Sequence, residues 1–433
     1  MKVLGIIAEY NPFHNGHKYH LEQSKELTGC DAVVCAMSGN FIQRGEPAVI
    51  NKFARADIAL QNGVDLVIEL PLPFAMSSAE SFAFGAVKLL DSIGIVDCIS
   101  FGSEQGDLEA LEFISDILVN EPAEYKAELK KQLSLGLSFP VCRQRAVCKY
   151  MENKPAANFS AALPTVLETS NNILGIEYLK ALKRLKSNIR PYTVERIANL
   201  YNSKAFTGNI SSATAIRNSI CSADALNTPS LCSNAAQAVP DISKTVIEKE
   251  FNEGRGPVNI YKYENILLAL IRNTDICKLG KIAGISEGLE YRIKKAAELS
   301  GSFEELLSKI GTKRYTKTRI QRILLSLTAG ITKRDTELFM QYGGPQYARI
   351  LGFNKTGREL LSRMKRTSIL PVITKPAAFK NSCNGLLARM LEIEAQSTDI
   401  YVLGYSNSSC RKAGQEYTKN MIIYKQDPCT SKF

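Results

Sequence analysis

Short apolar runs alternate with helical patterns through the first hundred residues, and this alternation constrains the fold more than any other feature. The runs are Val3–Ala8, Ala32–Met37, Asp65–Leu70 and Val96–Phe101. Between them lie helical patterns at Gly16–Leu27, Lys52–Asn62 and Ser78–Ile93; in the second, Phe53, Ala56, Ala59 and Leu60 share one side. Apolar runs this short, closed by turn residues, read as strands buried on both faces. Strands separated by helices predict right-handed crossovers and a doubly wound, mostly parallel α/β sheet. Such sheets bind ligands at the carboxyl ends of their strands. The loops there are Glu9–His17, Ser38–Pro47 and Phe101–Gly106, all rich in polar residues and glycine.

The pattern loosens further along. Glu121–Met151 is helical and charged, Leu174–Leu185 is a helix behind a Ser170-Asn171-Asn172 cap, and Tyr192–Ile197 reads as a strand. Asn202–Asn209 is polar. Asn227–Pro240 is polar and weakly patterned, and a boundary is expected there. Short helices follow at Glu264–Arg272, Leu279–Ala283, Gly288–Leu299, Phe303–Ile310 and Thr318–Ala329, then strand-like runs at Ile400–Leu403 and Met421–Tyr424. The expected organisation is three parts: a nucleotide-binding catalytic domain over 1–226, a basic helical region over 241–330, and a mixed α/β region over 331–433.

Charge separates these parts. Residues 1–225 hold 22 Lys+Arg against 24 Asp+Glu, whereas 226–433 hold 32 against 19. Such asymmetry suggests a module for a polyanion joined to a near-neutral one, although a basic surface can also be merely solvated. Eleven scattered cysteines without a C-x-x-C pair suggest reduced thiols. The first apolar run is too short for a signal sequence, and the apolar stretch Val64–Met76 contains Asp65, Glu69 and two prolines. The expectation is a cytoplasmic protein that does not enter a membrane.

The three histidines, His14, His17 and His20, all lie in one seven-residue window. His14-Asn15-Gly16-His17 follows the first strand and opens the first helix. A helix N-terminus offers free N–H groups to an anion, and glycine permits close approach. Two imidazoles one turn apart can reach one phosphoryl group and stabilise charge in an in-line displacement. Simple solvation, adventitious zinc binding by His-x-x-His-x-x-His, and packing of His20 are the competing readings.

The segment Gly5–His17 resembles the first-strand signature of the HxGH nucleotidyltransferase superfamily. The second signature of that superfamily, ISSTxIR, corresponds to Ile210–Arg217, here ISSATAIR with Ala213 as an extra residue. Class I aminoacyl-tRNA synthetases share the first motif, but no KMSKS-type loop is found. Met37–Ala48, Asp65–Pro71, Phe101–Glu104, Asn171–Gly175 and Lys313–Arg319 are similar to blocks of the bacterial tRNA(Met) cytidine acetate ligase family.

The resemblance implies a Rossmann-like, nucleotidyltransferase-type sheet followed by a basic, mainly helical C-terminal region with some strands. It implies activation of acetate by ATP, as Mg-ATP, to acetyl-adenylate with release of PPi. Acetylation of N4 of the wobble cytidine in elongator tRNA(Met) would follow. It makes His14 and His17 catalytic. It assigns ATP binding to Ile7, Ala8, Glu9, Tyr10, Asn11, Pro12, Phe13, His14, Asn15, Gly16, His17, Lys18, His20, Gly102, Asn172, Arg196, Ile197, Ser211, Ser212, Thr214 and Arg217. No dedicated metal site and no stable protein partner is expected. Ser211, Ser212 and Thr214 by themselves suit an ordinary helix cap; with the resemblance, they are expected on phosphate oxygens and Arg217 on departing PPi. Lys18, Lys52 and Arg55 can hold phosphate or RNA, or be solvated helix charges.

Residues 278–334 hold 13 Lys+Arg against 5 Asp+Glu. Within them Lys313, Arg314, Lys317, Arg319 and Arg322 surround Tyr315, a combination that suits phosphates and an unpaired base. The alternative is an amphipathic helix with a solvated face. Two other functions share the first motif: nucleotidyl transfer to a small phosphorylated metabolite, and RNA binding on a nucleotide fold that has lost catalysis. The first needs no strongly basic second half. The second would tolerate loss of His14 or His17, and both are present.

Overall fold

The computed structural model describes residues 1–152, 166–196, 211–220, 231–312, 315–380, 382 and 384–425. Its centre is a sheet of β1 (Val3–Ala8), β2 (Ala32–Ser38), β5 (Leu66–Leu70), β6 (Cys98–Ser103), β7 (Arg190–Glu195), β8 (Ala348–Phe353), β9 (Val372–Ile373) and β10 (Ile422–Ile423). A two-residue hairpin, β3 (Phe41–Ile42) and β4 (Glu46–Pro47), follows β2.

The path through the sheet is β10-β8-β5-β2-β1-β6-β7, with β9 beside β8. β1 pairs in parallel with β2 on one side and β6 on the other, Leu4 lying opposite both Val33 and Cys98. The chain passes from β1 outward to β2 and β5, then returns to place β6 across β1. That reversal makes a crevice at the carboxyl end of β1. β1, β2, β5, β6 and β7 bear out the parallel sheet read from the alternating apolar runs.

Alternation along the strands divides the core between the two faces. Val3, Val34, Ile68 and Phe82 belong to one cluster, and Leu4, Ile6, Val33, Phe13 and Leu21 to the other. The helix α1 (Asn15–Thr28) lies on the second face and ends at Gly29, whose φ of 59° closes it in the left-handed conformation. The helix α2 (Lys52–Gln61) is capped by Asn51, whose Oδ1 accepts from the N–H groups of Phe53 and Ala54 at 3.1 Å each.

Strands from the C-terminal part extend the same sheet. β8 lies antiparallel to β5, and β9 and β10 lie parallel to β8. The Met421–Tyr424 run supplies β10. The Ile400–Leu403 run is not a strand: it ends the helix Gly385–Tyr401 and enters a 3-10 turn at Val402–Gly404. Tyr401 and Val402 are buried there, and the Tyr263 hydroxyl donates to the Tyr401 carbonyl at 2.6 Å. A short apolar run fits the buried end of a helix as well as a strand. The helix expected at Leu279–Ala283 instead spans Ile276–Leu279, because Asp275 caps it through Cys277 N–H at 2.7 Å.

Residues 231–240 pack on the first motif. Leu231, Ala235 and Ala238 join the core around Phe13, and Asn15 N–H donates to Ala238 O at 3.0 Å. Among the described residues, no helix is long and apolar enough to cross a membrane.

Candidate nucleotide site

The carboxyl end of β1 leads into a turn whose residues are mostly buried. Tyr10 takes a φ of 47°, unusual for a residue with a Cβ. Its ring packs 4.7 Å from Phe13 and 5.0 Å from His17, centroid to centroid. Asn11 Oδ1 accepts from Val49 N–H at 2.8 Å. Asn15 Nδ2 donates to Gln237 O at 2.9 Å. Pro12 and Phe13 are buried, and like Asn15 they support the turn rather than line the pocket.

His14 occupies the cap position of α1 with an extended backbone. Its N–H donates to His17 Nδ1 at 3.3 Å, and the two rings stack with centroids 3.7 Å apart and planes 21° from parallel. The buried Nδ1 of His14 has no hydrogen-bond partner. His20 Nε2 lies 3.4 Å from both the Ser24 and Ser100 hydroxyls, which tie it to α1 and β6.

These histidines line one pocket with Ile7, Ala8, Glu9, Tyr10, Asn11, Gly16, Gly102, Arg196, Ser211, Ser212 and Arg217. The site therefore joins the ends of β1, β6 and β7 to the helix Ala213–Ile220. Arg217 Nη1 donates to Asn11 O at 2.8 Å, and its Nη2 to Thr214 Oγ1 at 3.3 Å. Ser212 Oγ caps the helix by accepting from Ala215 N–H at 3.1 Å.

Burial pushes the His14 imidazole down to about 3, with Arg196 and Arg217 adding to the depression. Burial and Arg196 push His20 down to about 4, against a hydrogen bond to the main chain of Phe101. His17 is also held well below its usual value, by burial first and by His14 next. Without an anion the pocket thus holds neutral imidazoles beside two guanidinium groups. An anion entering it meets cations and removes the cause of part of that depression.

The remaining expected residues are placed differently. Asn172 is buried in the helix Ser170–Leu185, beside the pocket but not on its wall. Its Oδ1 accepts from Glu104 N–H at 3.0 Å, while its buried Nδ2 has no partner. Glu104 Oε2 in turn accepts from Asn172 N–H at 3.0 Å. Arg196 Nη1 donates to Asn171 Oδ1 at 3.2 Å. Lys18 points away, its Nζ 4.0 Å from Glu22 on the outer face of α1. Ile197 lies outside the described residues, as do Lys313 and Arg314.

Lys52 and Arg55 are not solvated helix charges; both are fully buried. Arg55 donates to the carbonyls of Glu9, Gly39 and Ile50, bracing the loops after β1 and β2. Lys52 Nζ lies 2.6 Å from Glu69, 2.7 Å from Glu416 and 3.4 Å from Glu394. Arg349 pairs with Glu69 and Glu416. This network sits under Gly39, where a Cβ would come within 2.7 Å of Glu69 Oε1.

The basic stretch forms the start of the helix Lys317–Thr328, with Lys317 exposed. The Arg319 guanidinium lies 4.9 Å above the Tyr315 ring and donates to Gly284 O and Ser286 Oγ, each at 3.3 Å. Arg322 is turned inward, donating to Gln43 O at 3.2 Å. Gln43 lines the pocket, and so do Asn171, Phe82, Phe101, Leu174, Tyr178 and Glu195. None of these is singled out as a contact by the sequence, although Gln43, Phe101, Asn171 and Leu174 lie in the segments that carry the resemblance.

The model of the family described as HIGH Nucleotidyl Transferase matches residues 1–416. A protein of Acetivibrio thermocellus named tRNA(Met) cytidine acetate ligase is 52% identical over 98% of this chain and 100% of its own. A protein of the same name from Thermoanaerobacter sp. is 45% identical, with 98% and 100% covered. Among solved structures, apo TmcAL of Thermotoga maritima superposes with a TM-score of 0.91 at 39% identity, covering 98% of this chain and 100% of that one. The same protein bound with alpha-thio ATP gives 0.90 at 38% identity, with the same coverage.

Proposed function

Because the chain belongs to the tRNA(Met) cytidine acetate ligase family of HIGH nucleotidyl transferases, we propose that it is an ATP-dependent ligase acetylating a cytidine of tRNA(Met). The first step is attack of an acetate oxygen on the α-phosphorus of ATP. The bond to the bridging oxygen breaks, PPi leaves with the electron pair, and acetyl-adenylate remains. The second step transfers the acetyl group to N4 of the wobble cytidine of elongator tRNA(Met), releasing AMP. The observation that carries this reading is the stack of His14 on His17 at a helix start, facing Arg217.

Chemistry then assigns the roles. His14 and His17 hydrogen-bond the α-phosphate as charge grows on it. Arg217, steadied by Asn11 O and Thr214 Oγ1, meets the departing PPi. Ser211 and Ser212 face the phosphates, and Ser212 also caps the helix behind them. Gly102, Arg196 and the neighbouring Asn172 take the nucleoside end. ATP would be used as its Mg2+ complex, the cation offsetting phosphate charge; among the described residues no group of three or more His, Cys, Asp or Glu is placed to hold a metal ion. Tyr315, Lys317 and Arg319, with Lys313 and Arg314, form the tRNA contact, and the enzyme works in the cytoplasm. Acetate, ATP and tRNA are its partners.

The test is incubation with ATP, labelled acetate and bulk tRNA, following label into RNA and release of PPi. Label entering only from acetyl-CoA, or ATP joined to a small phosphate ester, overturns the reading.

A further inference from the structure

Among the described residues, two carboxylates line the pocket, Glu9 and Glu195. Glu195 is exposed at the end of β7, whereas Glu9 is partly buried at the end of β1. A carboxylate in a pocket that receives a triphosphate is repelled by its own ligand, so Glu9 needs a role that offsets this cost. It is also held in place. Its Oε1 accepts from Gln43 N–H at 2.7 Å. Gln43 O accepts from Arg322 on the basic helix at 3.2 Å. Gly45, two residues on, has a φ of 72° and packs so closely that a Cβ would lie 2.4 Å from the main-chain nitrogen of Arg322. Glu9 therefore stands on the wall that the pocket shares with the basic helix, the side from which RNA on that helix would approach.

Resting on the acetyl-adenylate reading above, we infer that Glu9 accepts the proton lost by the cytidine N4 amine during acetyl transfer. The N4 lone pair attacks the acetyl carbonyl carbon, and the bond from that carbon to the phosphate oxygen breaks. AMP leaves with the electron pair, and the amine proton passes to a Glu9 carboxylate oxygen. Basicity in the unliganded pocket favours this assignment. Burial pushes Glu9 upward, against the Gln43 N–H and the cations Arg217, Arg44 and Arg55, while the three imidazoles are all pushed down. The carboxylate gains basicity where the histidines lose it.

The test compares Glu9→Gln, which keeps the shape and the acceptor for Gln43 N–H, with Glu9→Asp, which keeps the base. Each protein is given synthetic acetyl-adenylate and then tRNA, and transfer is measured per bound adenylate. The readout does not depend on how fast adenylate forms from ATP. We expect Glu9→Gln to slow transfer by about 100-fold or more, the range of general-base catalysis, and Glu9→Asp to retain more activity than Glu9→Gln. Near-normal transfer by Glu9→Gln, or a rate for Glu9→Asp no higher than for Glu9→Gln, overturns the assignment. Loss of adenylate binding in both variants places Glu9 in nucleotide binding and overturns it as well. If the wild type forms no acetyl-adenylate from acetate and ATP but transfers from the synthetic compound, the activation reading fails and this one stands.

Discussion

The Arg322 guanidinium donates to the main-chain oxygen of Gln43 at 3.2 Å, so a cation of the basic helix ends on the loop that walls the nucleotide pocket. Burial and the neighbouring Arg319 push it down to about 10, consistent with a group largely withdrawn from water. Its first duty is to hold Gln43, which itself lines the nucleotide pocket.

Arg322→Ala should therefore weaken nucleotide use more than RNA binding. Losing a hydrogen bond to a charged group costs about 1.5–3 kcal/mol, equivalent to roughly 10-fold or more. The KM for ATP in acetate-dependent PPi exchange, measured without tRNA, should rise accordingly, and Arg322→Lys should recover part of it. A fall in tRNA affinity with exchange intact would make Arg322 a phosphate contact instead.

Lys317 is exposed at the start of the same helix. Lys317→Ala should lower tRNA affinity similarly for cognate and non-cognate tRNA, and reduce the slope of log K against log salt by about 1. Filter binding across a salt series checks both.

ATP binding should take up protons. An anion beside His14 and His20, now held at about 3 and about 4, raises their values. The complex then binds more protons than the free protein, so affinity for ATP increases as pH falls below 6.5. Calorimetry in two buffers of different ionisation enthalpy should show the uptake, and His14→Gln with His20→Gln should remove most of it.

The same depression makes the unliganded fold acid-sensitive. Below 6.5 the unfolded chain binds protons that buried His14 and His20 refuse until about 3 and about 4. Unfolding free energy therefore falls as pH drops through that interval. His20→Gln should flatten the slope in urea melts between pH 4 and 6.5, on top of any pH-independent loss from its ties to Ser24 and Ser100.

The buried network should show its imbalance. It sets Glu69, Glu394 and Glu416 against Lys52 and Arg349, all buried. Burial and Glu69 push Glu394 up to about 7, so it takes up a proton more readily than an ordinary carboxylate, and that proton evens the charges. Stability from that proton is present below the usual carboxylate value and is lost as pH rises through about 7. Glu394→Gln should remove this decline between acid and neutral pH. Lys52→Met, leaving carboxylates uncompensated, should cost about 3–5 kcal/mol in denaturant melts.

The parallel sheet and the position of His14 and His17 were legible because both are local. Apolar runs of strand length are followed by helical periods, and the histidines sit where one gives way to the other. Arg217 was legible only as a second motif. Lys52 and Arg55 looked like ordinary helix charges because their partners come from distant residues: Glu394 and Glu416 for one, the carbonyls of Glu9 and Gly39 for the other. Spacing along a chain carries no trace of such long-range pairings. Ile400–Leu403 misled for a related reason: a short apolar run fits either element, and its buried contacts, such as the hydrogen bond from Tyr263, come from far along the chain.

The antiparallel seat of β8 on β5 also bears on how the protein can be divided. Arg349 on β8, with Glu394 and Glu416 beyond it, completes the charges around Lys52 directly beneath the loop that follows β2. A fragment ending near residue 340 would keep every residue of the nucleotide pocket yet strip the edge of its sheet and strand a lysine beside one carboxylate in the interior. Gene fusions, truncations and chimeras between relatives must therefore carry both ends of the chain together, whatever the contrast in charge between the two halves suggests.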